Sequence, residues 1–536
     1  MKLLTILVCV ATLLSAQADR IIGERIRPHV KFLASDLLEG RGPGTRGGLL
    51  AQEYIAAQFA AAGLEPAGDN GGFIQEVPLQ LVEPVGASAH FTIFGLDATT
   101  ELRWLDDFVA TTHRRQTSLD FEAQMVFVGH GIRAAEFAWD DYRGVDVKGK
   151  VVVLFTGEPP SDDPKFFAGK ALTYYGRWTY KFEEAARQGA LGAIIIHTTP
   201  TASYGWQVVR GQGRPMPQAT LPPDTPALAL AGWITSESGG KLLGSSNLTL
   251  ADALAAADKR GFRPRLLSAK LRVKLDFRIA PIDTGNVIGK ATGSDPRLKD
   301  EAVIFTAHWD HLGIGAPVNG DSIYNGAIDN ATGSAMLIEM ARAWASQDPK
   351  PKRSAYFAAV TAEESGLLGS KYLAEHPPAP PAHITADLNL DSFSPIGRTR
   401  DAGFAGAERT TLWQLVQQTA SEFGLTLKQD THPEAGGYFR SDHFSFARTG
   451  VPAFSVGMGG DFVDVPAVVA AEKGKLYGSR YHQPSDEYSA DWDFSGMEQF
   501  ARLGFTLGVR IANLDHVPTW QAGDEFLPAR QASGVH

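Results

Sequence analysis

The sequence predicts an α/β fold: a mainly parallel, doubly wound sheet with helices on both faces, carrying a β-rich inserted region. Two patterns predict it. From about residue 271 onward, short apolar runs (302–306, 355–360, 384–390) alternate with amphipathic stretches (335–344, 367–375, 411–423). That is how strands buried on both faces alternate with crossover helices. Between about 121 and 243 the alternation gives way to short runs rich in branched residues, 124–129, 151–155 and 193–197. One short helix, 180–188, and Pro/Gly-rich loops such as 211–226 lie among them. A chain of 536 residues exceeds one ordinary core and divides into two or three domains.

In chain order, the first element is a targeting segment. Lys2, the apolar stretch 3–14 and Ala16-Gln17-Ala18 follow the order of a secretory signal peptide, and the stretch is too short to span a bilayer. Residues 1–18 are expected to be removed, leaving an exported, periplasmic or extracellular protein. Cys9, the only cysteine, lies inside that segment, so disulfides and thiolate metal sites are excluded from the mature chain. Residues 24–38 have helical spacing, broken at Gly40, Gly42, Pro43 and Gly44; a second helix, 49–62, stops at Gly63. A strand over 75–82 carries Pro78, which suits an edge. The main domain is expected over 19–85 and 269–536, with the insertion at 86–268. Its second part adds strands at 271–279, 286–290 and 453–456 and a closing helix at 496–512. No later stretch is apolar enough to span a membrane. Acidic residues number 60 against 50 Lys plus Arg, and no basic stripe occurs, so nucleic-acid binding has little electrostatic support.

The chemistry gathers where strands end. In an open α/β sheet, ligands bind outside the carboxyl ends of the strands. His308 and Asp310 follow one apolar run, Glu363 and Glu364 a second, and Asp391 a third; Asp329 precedes a helix. Each alone has an ordinary structural reading, Asp329 as an N-cap and the Glu pair as a solvated helix start. Three strand ends converging with His and carboxylates point instead to metal. Two His and three carboxylates suit a pair of zinc ions, with one carboxylate shared between them. Such ions acidify water and polarise a carbonyl, and a base must still carry the proton to the leaving amine. Adjacent glutamates can divide those tasks, one binding metal and the other facing the water. The inserted region gathers no His with carboxylates at ligand spacing.

Five motifs then carry a resemblance. They are His308-Trp309-Asp310, the stretch from Gly326 through Asp329 to Gly333, Ala362-Glu363-Glu364-Ser365-Gly366, Asn389-Leu390-Asp391, and Tyr481-His482-Gln483-Pro484-Ser485-Asp486. In this order they resemble metallopeptidase family 28, which contains zinc aminopeptidases and glutamate carboxypeptidases. The resemblance covers about 25–85 and 270–512, and the middle region resembles a protease-associated domain. It implies the zinc exopeptidase fold and two Zn2+ ions. Asp329 bridges them, His308 and Asp391 hold one, and Glu364 and His482 hold the other. It further implies Glu363 as general base, Asp310 orienting His308, Tyr481 hydrogen-bonding the oxyanion, and Arg440 at the substrate's polar end. The stretch 312–324 is longer than in the simplest aminopeptidases and reads as an extra loop beside the site. His311 and His443 read as structural or as supports behind the ligands. Peptides are the implied substrates, attacked from the N-terminus because an acidic rim suits a free ammonium. A carboxypeptidase or dipeptidase of the same family is the alternative. A one-zinc glutaminyl cyclase and a non-catalytic binding protein are disfavoured by the complete ligand set.

Overall fold

The strand expected over 75–82 is broken at Pro78, and the chain changes unit there. The computed structural model describes residues 18–95, 99–222 and 224–535; residues 1–17, with most of the expected signal peptide and Cys9, lie outside them. One compact unit takes the described parts of 1–78, 283–430 and 440–536, and the other takes 79–282 and 431–439. Each has its own apolar core.

The first unit opens with helices α1 (Gly23–Leu33) and α2 (Arg46–Ala62). Between them Asp36–Arg41 forms a tight helical turn, capped by the Ser35 hydroxyl on the Leu37 amide. Thr45 caps α2 by accepting from Gly48 N, and Gly63 ends it at φ 84°. The strands follow in chain order: β1 (Glu65–Pro66), β2 (Ile74–Glu76), β3 (Gly285–Ala291) and β4 (Ala302–His308). A hairpin, β5 (Gly313–Val318) and β6 (Asp321–Tyr324), then leads to α3 (Thr332–Ala345). Next come β7 (Ser354–Val360), α4 (Leu368–Glu375), β8 (Ile384–Leu390), β9 (Asp401–Ala405) and α5 (Trp413–Glu422). Then come β10 (Thr426–Leu427), α6 (His443–Arg448), β11 (Ala453–Met458), α7 (Ala467–Arg480) and α8 (Ser495–Ala512), and a short helix, α9 (Leu527–Ala532), closes the unit.

The sheet runs β1-β3-β7-β4-β8-β11-β9-β10, with β2 also on β3. Its centre, β7, β4, β8 and β11, is parallel, while β3 and β9 run antiparallel to their inner neighbours. The sheet is therefore mixed rather than mainly parallel. Parallel pairing needs a crossover, usually helical, whereas 292–301 after β3 and 391–400 after β8 contain no helix. Successive side chains of β4 point to opposite faces. Val303, Phe305 and Ala307 enter the apolar core beside Trp344 of α3 and Phe505 of α8. Thr306 turns to the other face and meets Asp387 and Asn389 of β8. That second face also carries buried Ile304, so it mixes apolar with polar groups.

The second unit has strands 118–127, 151–155, 192–196 and 230–234 in parallel, flanked by antiparallel Phe108–Thr111 and the long Arg265–Ile282. The sequence reading found only the middle of that last strand. It also missed the helices Ser236–Gly244 and Leu250–Ala257, so the unit is itself α/β rather than simply β-rich. No helix among the described residues is long and apolar enough to cross a membrane.

Candidate metal centre

Each candidate side chain leaves an element at the same edge of the parallel strands. His308 is the last residue of β4, Glu363 and Glu364 form a short turn just after β7, and Asp391 directly follows β8. Asp329 lies ahead of α3, and His482 follows the C-terminus of α7.

The structure brings all five expected ligands together. His308 Nε2 lies 3.2 Å from Asp329 Oδ1 and 3.5 Å from Asp391 Oδ1. His482 Nε2 lies 2.9 Å from Glu364 Oε2 and 3.4 Å from Asp329 Oδ2. The two oxygens of Asp329 therefore face different histidines. The donor atoms of His308, Asp329 and Asp391 all fall within 4.8 Å of one another, as do those of His311, Asp329 and Glu364.

His311 is the residue the sequence reading undervalued. Its Nδ1 approaches Glu364 Oε1 to 2.6 Å, yet neither atom has a hydrogen-bond partner of proper direction. Its ring also lies across that of His482, centroids 5.7 Å apart. The repeated His in His308-Trp309-Asp310-His311 was the available signal.

Asp310 differs in detail from its expected role. His308 Nδ1 reaches the Asp310 carbonyl at 3.1 Å, whereas the Asp310 carboxylate stands 3.9 Å away. That carboxylate instead accepts from the Glu363 amide at 3.1 Å, linking the histidine to the candidate base. Its short reach is used on the neighbouring turn. Tyr481 is half exposed and stacks on His482 at 3.9 Å. Arg440 is partly buried and directly precedes Ser441, whose hydroxyl donates to Asp391 Oδ2. Asn389 donates to that same hydroxyl at 2.6 Å, which turns its proton toward Asp391. Sequence reasoning gave Ser441 no part.

The electrostatics describe a site short of positive charge. Burial alone would depress the His308 imidazole, but Glu363, Asp329 and Asp391 raise it well above its usual value. His482 is raised to about 9: burial opposes its charge, and Glu364 and Asp329 outweigh that. Burial pushes Glu363 well above the carboxylate range, with Glu364, Asp442 and Asp391 adding and His308 opposing. Burial likewise carries Asp310 up to about 7. The carboxylates thus favour the cationic form of His308 and His482, as they would a metal cation. Asp310 Oδ2 and His311 Nε2 are buried without a hydrogen-bond partner, and Glu364 Oε1 faces His311 Nδ1 without a well-directed bond. Donors are nitrogen and oxygen only, a set that suits zinc. The residues fit the expected metal.

Residues 286–505 match the model of Peptidase family M28. That segment is accordingly a Peptidase family M28 domain. Among solved structures, an aminopeptidase from Aneurinibacillus sp. strain AM-1 shares the fold, with a TM-score of 0.54 and 20% identity over 91% of this chain and 94% of that one. Leupeptin-inactivating enzyme 1 of Streptomyces exfoliatus is 29% identical over 205 residues, 38% of this chain and 42% of that protein. A probable glutamate carboxypeptidase of Arthroderma benhamiae is 24% identical over 478 residues, 77% of this chain and 59% of that protein. The chain thus spans less than two thirds of the length of either of these two relatives.

Proposed function

We propose that this chain is an exported two-zinc exopeptidase that removes N-terminal residues from peptides. The observation that carries this reading is the division of Asp329, one oxygen toward His308 and the other toward His482. In it, His308, Asp329 and Asp391 hold one ion, and Asp329, Glu364 and His482 the other. Zinc held there supplies Lewis acidity, lowering the pKa of water and polarising the scissile carbonyl.

The remaining work belongs to side chains. Glu363 takes a proton from the attacking water and delivers it to the leaving amine. Its buried carboxyl, raised in the metal-free protein, favours holding that proton between the two transfers. Asp310 keeps Glu363 and His308 in register through its carboxylate and its carbonyl. Tyr481 hydrogen-bonds the oxygen that becomes negative, and Arg440 meets the polar end of the bound residue. Glu363 also pairs with the substrate's ammonium, which favours N-terminal attack. The inserted region serves as a protease-associated domain that supplies no catalytic group. Export is read from the order of Lys2, the apolar stretch 3–14 and Ala16-Gln17-Ala18.

A free peptide, its N-acetylated form and its C-amidated form test the direction, with products identified by mass. Acetylation is expected to abolish cleavage and amidation to preserve most of it. The reverse pattern would establish a carboxypeptidase, with Arg440 as the clamp for the α-carboxylate.

A further inference from the structure

Asp329 reaches the site at the end of a long excursion. The chain leaves β4 at His308, runs through the β5–β6 hairpin, and returns only at Asn325. A carboxylate shared by two ions has to be held to roughly 0.5 Å, which a hairpin cannot ensure by itself. Two buried side chains of opposite charge supply the hold.

Arg41 is fully buried and directs its guanidinium at main-chain carbonyls alone. Nε donates to Trp309 O at 2.8 Å, Nη1 to Leu33 O and Asn325 O at 2.5 Å each, and Nη2 to Gly326 O at 2.9 Å. It thereby ties both ends of the excursion, next to His308 on one side and ahead of Asp329 on the other. Its counter-charges are the surrounding carboxylates Asp310, Asp486, Asp329 and Glu364. Asp486 holds the opposite polarity. Its carboxylate accepts from Ile328 N at 3.0 Å and Asp329 N at 3.1 Å, and its carbonyl accepts from Ala327 N at 3.0 Å. Asp486 sits in the same short turn as His482.

The backbone around Arg41 is strained in a way that needs a cause. Glu39, Gly40 and Arg41 have φ of 50°, 70° and 50°, a left-handed run uncommon for side chains larger than glycine. A Cβ on Gly40 would stand 2.5 Å from Tyr324 O and 2.6 Å from Gly313 O, so this turn lies directly against the hairpin's base. The run delivers the guanidinium to its four carbonyls.

We propose that Arg41 and Asp486 are positioning residues of the metal centre, a cation on the carbonyl side and an anion on the amide side of 325–329, fixing Asp329 between His308 and His482. This rests on reading Asp329 as the shared ligand. Lysine keeps the charge of Arg41 but lacks the planar fork that spans three segments.

The test uses the full chain stripped of metal, as wild type, Arg41→Lys and Asp486→Asn. Zinc affinity is measured by chelator competition, and site geometry by the visible absorption of the cobalt(II) form. Both variants are expected to bind both ions at least tenfold more weakly, with an altered cobalt spectrum, because both ions share Asp329. If Arg41→Lys does not fold, Asp486→Asn carries the same expectation. Wild-type affinity with a merely lowered melting temperature overturns the proposal, as does weakening at one ion only. A wild-type chain that binds no zinc overturns the two-ion reading itself, and this inference with it.

Discussion

The two adjacent glutamates have different neighbours, and that difference fixes what each substitution does. Glu364 sits between His482 and His311, while Glu363 has its amide on Asp310. Glu363→Gln is expected to retain zinc and lose roughly 10²–10⁴-fold in turnover, the range for general acid–base catalysis. Glu364→Gln is expected to lose metal instead; elemental analysis of both variants checks the split, and equal zinc loss would reverse the pair. His482 gives a pH signature. Its imidazole is raised from 6.5 to about 9 in the metal-free protein. A raised cationic group stabilises the fold fully below its unfolded pKa, and that stabilisation disappears as pH rises through the folded value. Metal-free protein should therefore lose stability between about pH 6.5 and 9. Zinc-loaded protein should lack that slope, since the ion replaces the proton. Melting temperatures of both forms across this window decide it, and identical slopes would count against His482 as a ligand.

At the scale of elements, α3 approaches the end of β8 so closely that only glycine fits at its first turn. A Cβ on Gly333 would stand 2.3 Å from Asn330 Oδ1 and 2.4 Å from Leu390 O. Asn330 meanwhile bonds both Gly333 N and Leu390 O, tying the Asp329 segment to the strand that presents Asp391. Gly333→Ala is expected to cost about 1–3 kcal/mol, the usual scale for overpacking. Denaturant titration measures it, and zinc content should fall alongside. The elements legible in the sequence were those with a strong internal period. β4, β7 and β8 are buried throughout and largely apolar, and their ends located His308, Glu363, Glu364 and Asp391. The β5–β6 hairpin read as a loop because Gly313, Gly315 and Pro317 interrupt its alternation, and because β5 is largely exposed. Helix α7 was missed for a related reason: of its residues only Ala470 is buried, and Val468 and Leu476 are exposed, so no apolar stripe marks it. Arg41 was hidden in a run of glycines that read only as a helix breaker. Its partners are carbonyls far away in sequence, which no local pattern records.

Over the whole molecule, the groups able to hold a metal all fall in the first unit, among the described residues. The second unit has buried histidines of its own, and their partners show what they do. His130 lies between Thr156 O at 3.2 Å and Asp258 Oδ1 at 2.8 Å, and His197 Nε2 meets Tyr204 O at 3.0 Å. Both sets of partners belong to the second unit, so these imidazoles satisfy polar groups of its own fold. Burial lowers the pKa of each, which suits neutral hydrogen-bonding roles. Replacing one removes a structural bond and leaves the reaction's groups in place. His130→Gln is expected to cost about 1–3 kcal/mol, the scale of an unsatisfied buried group. Turnover on dipeptide and tripeptide substrates should stay within about twofold at a temperature where the variant remains folded, since no general acid–base or ligand role is lost. Turnover and thermal unfolding are measured on the same preparation. A tenfold or greater fall in turnover with unchanged unfolding would show that the second unit contributes to the chemistry, and the division of labour argued from these partners would fail.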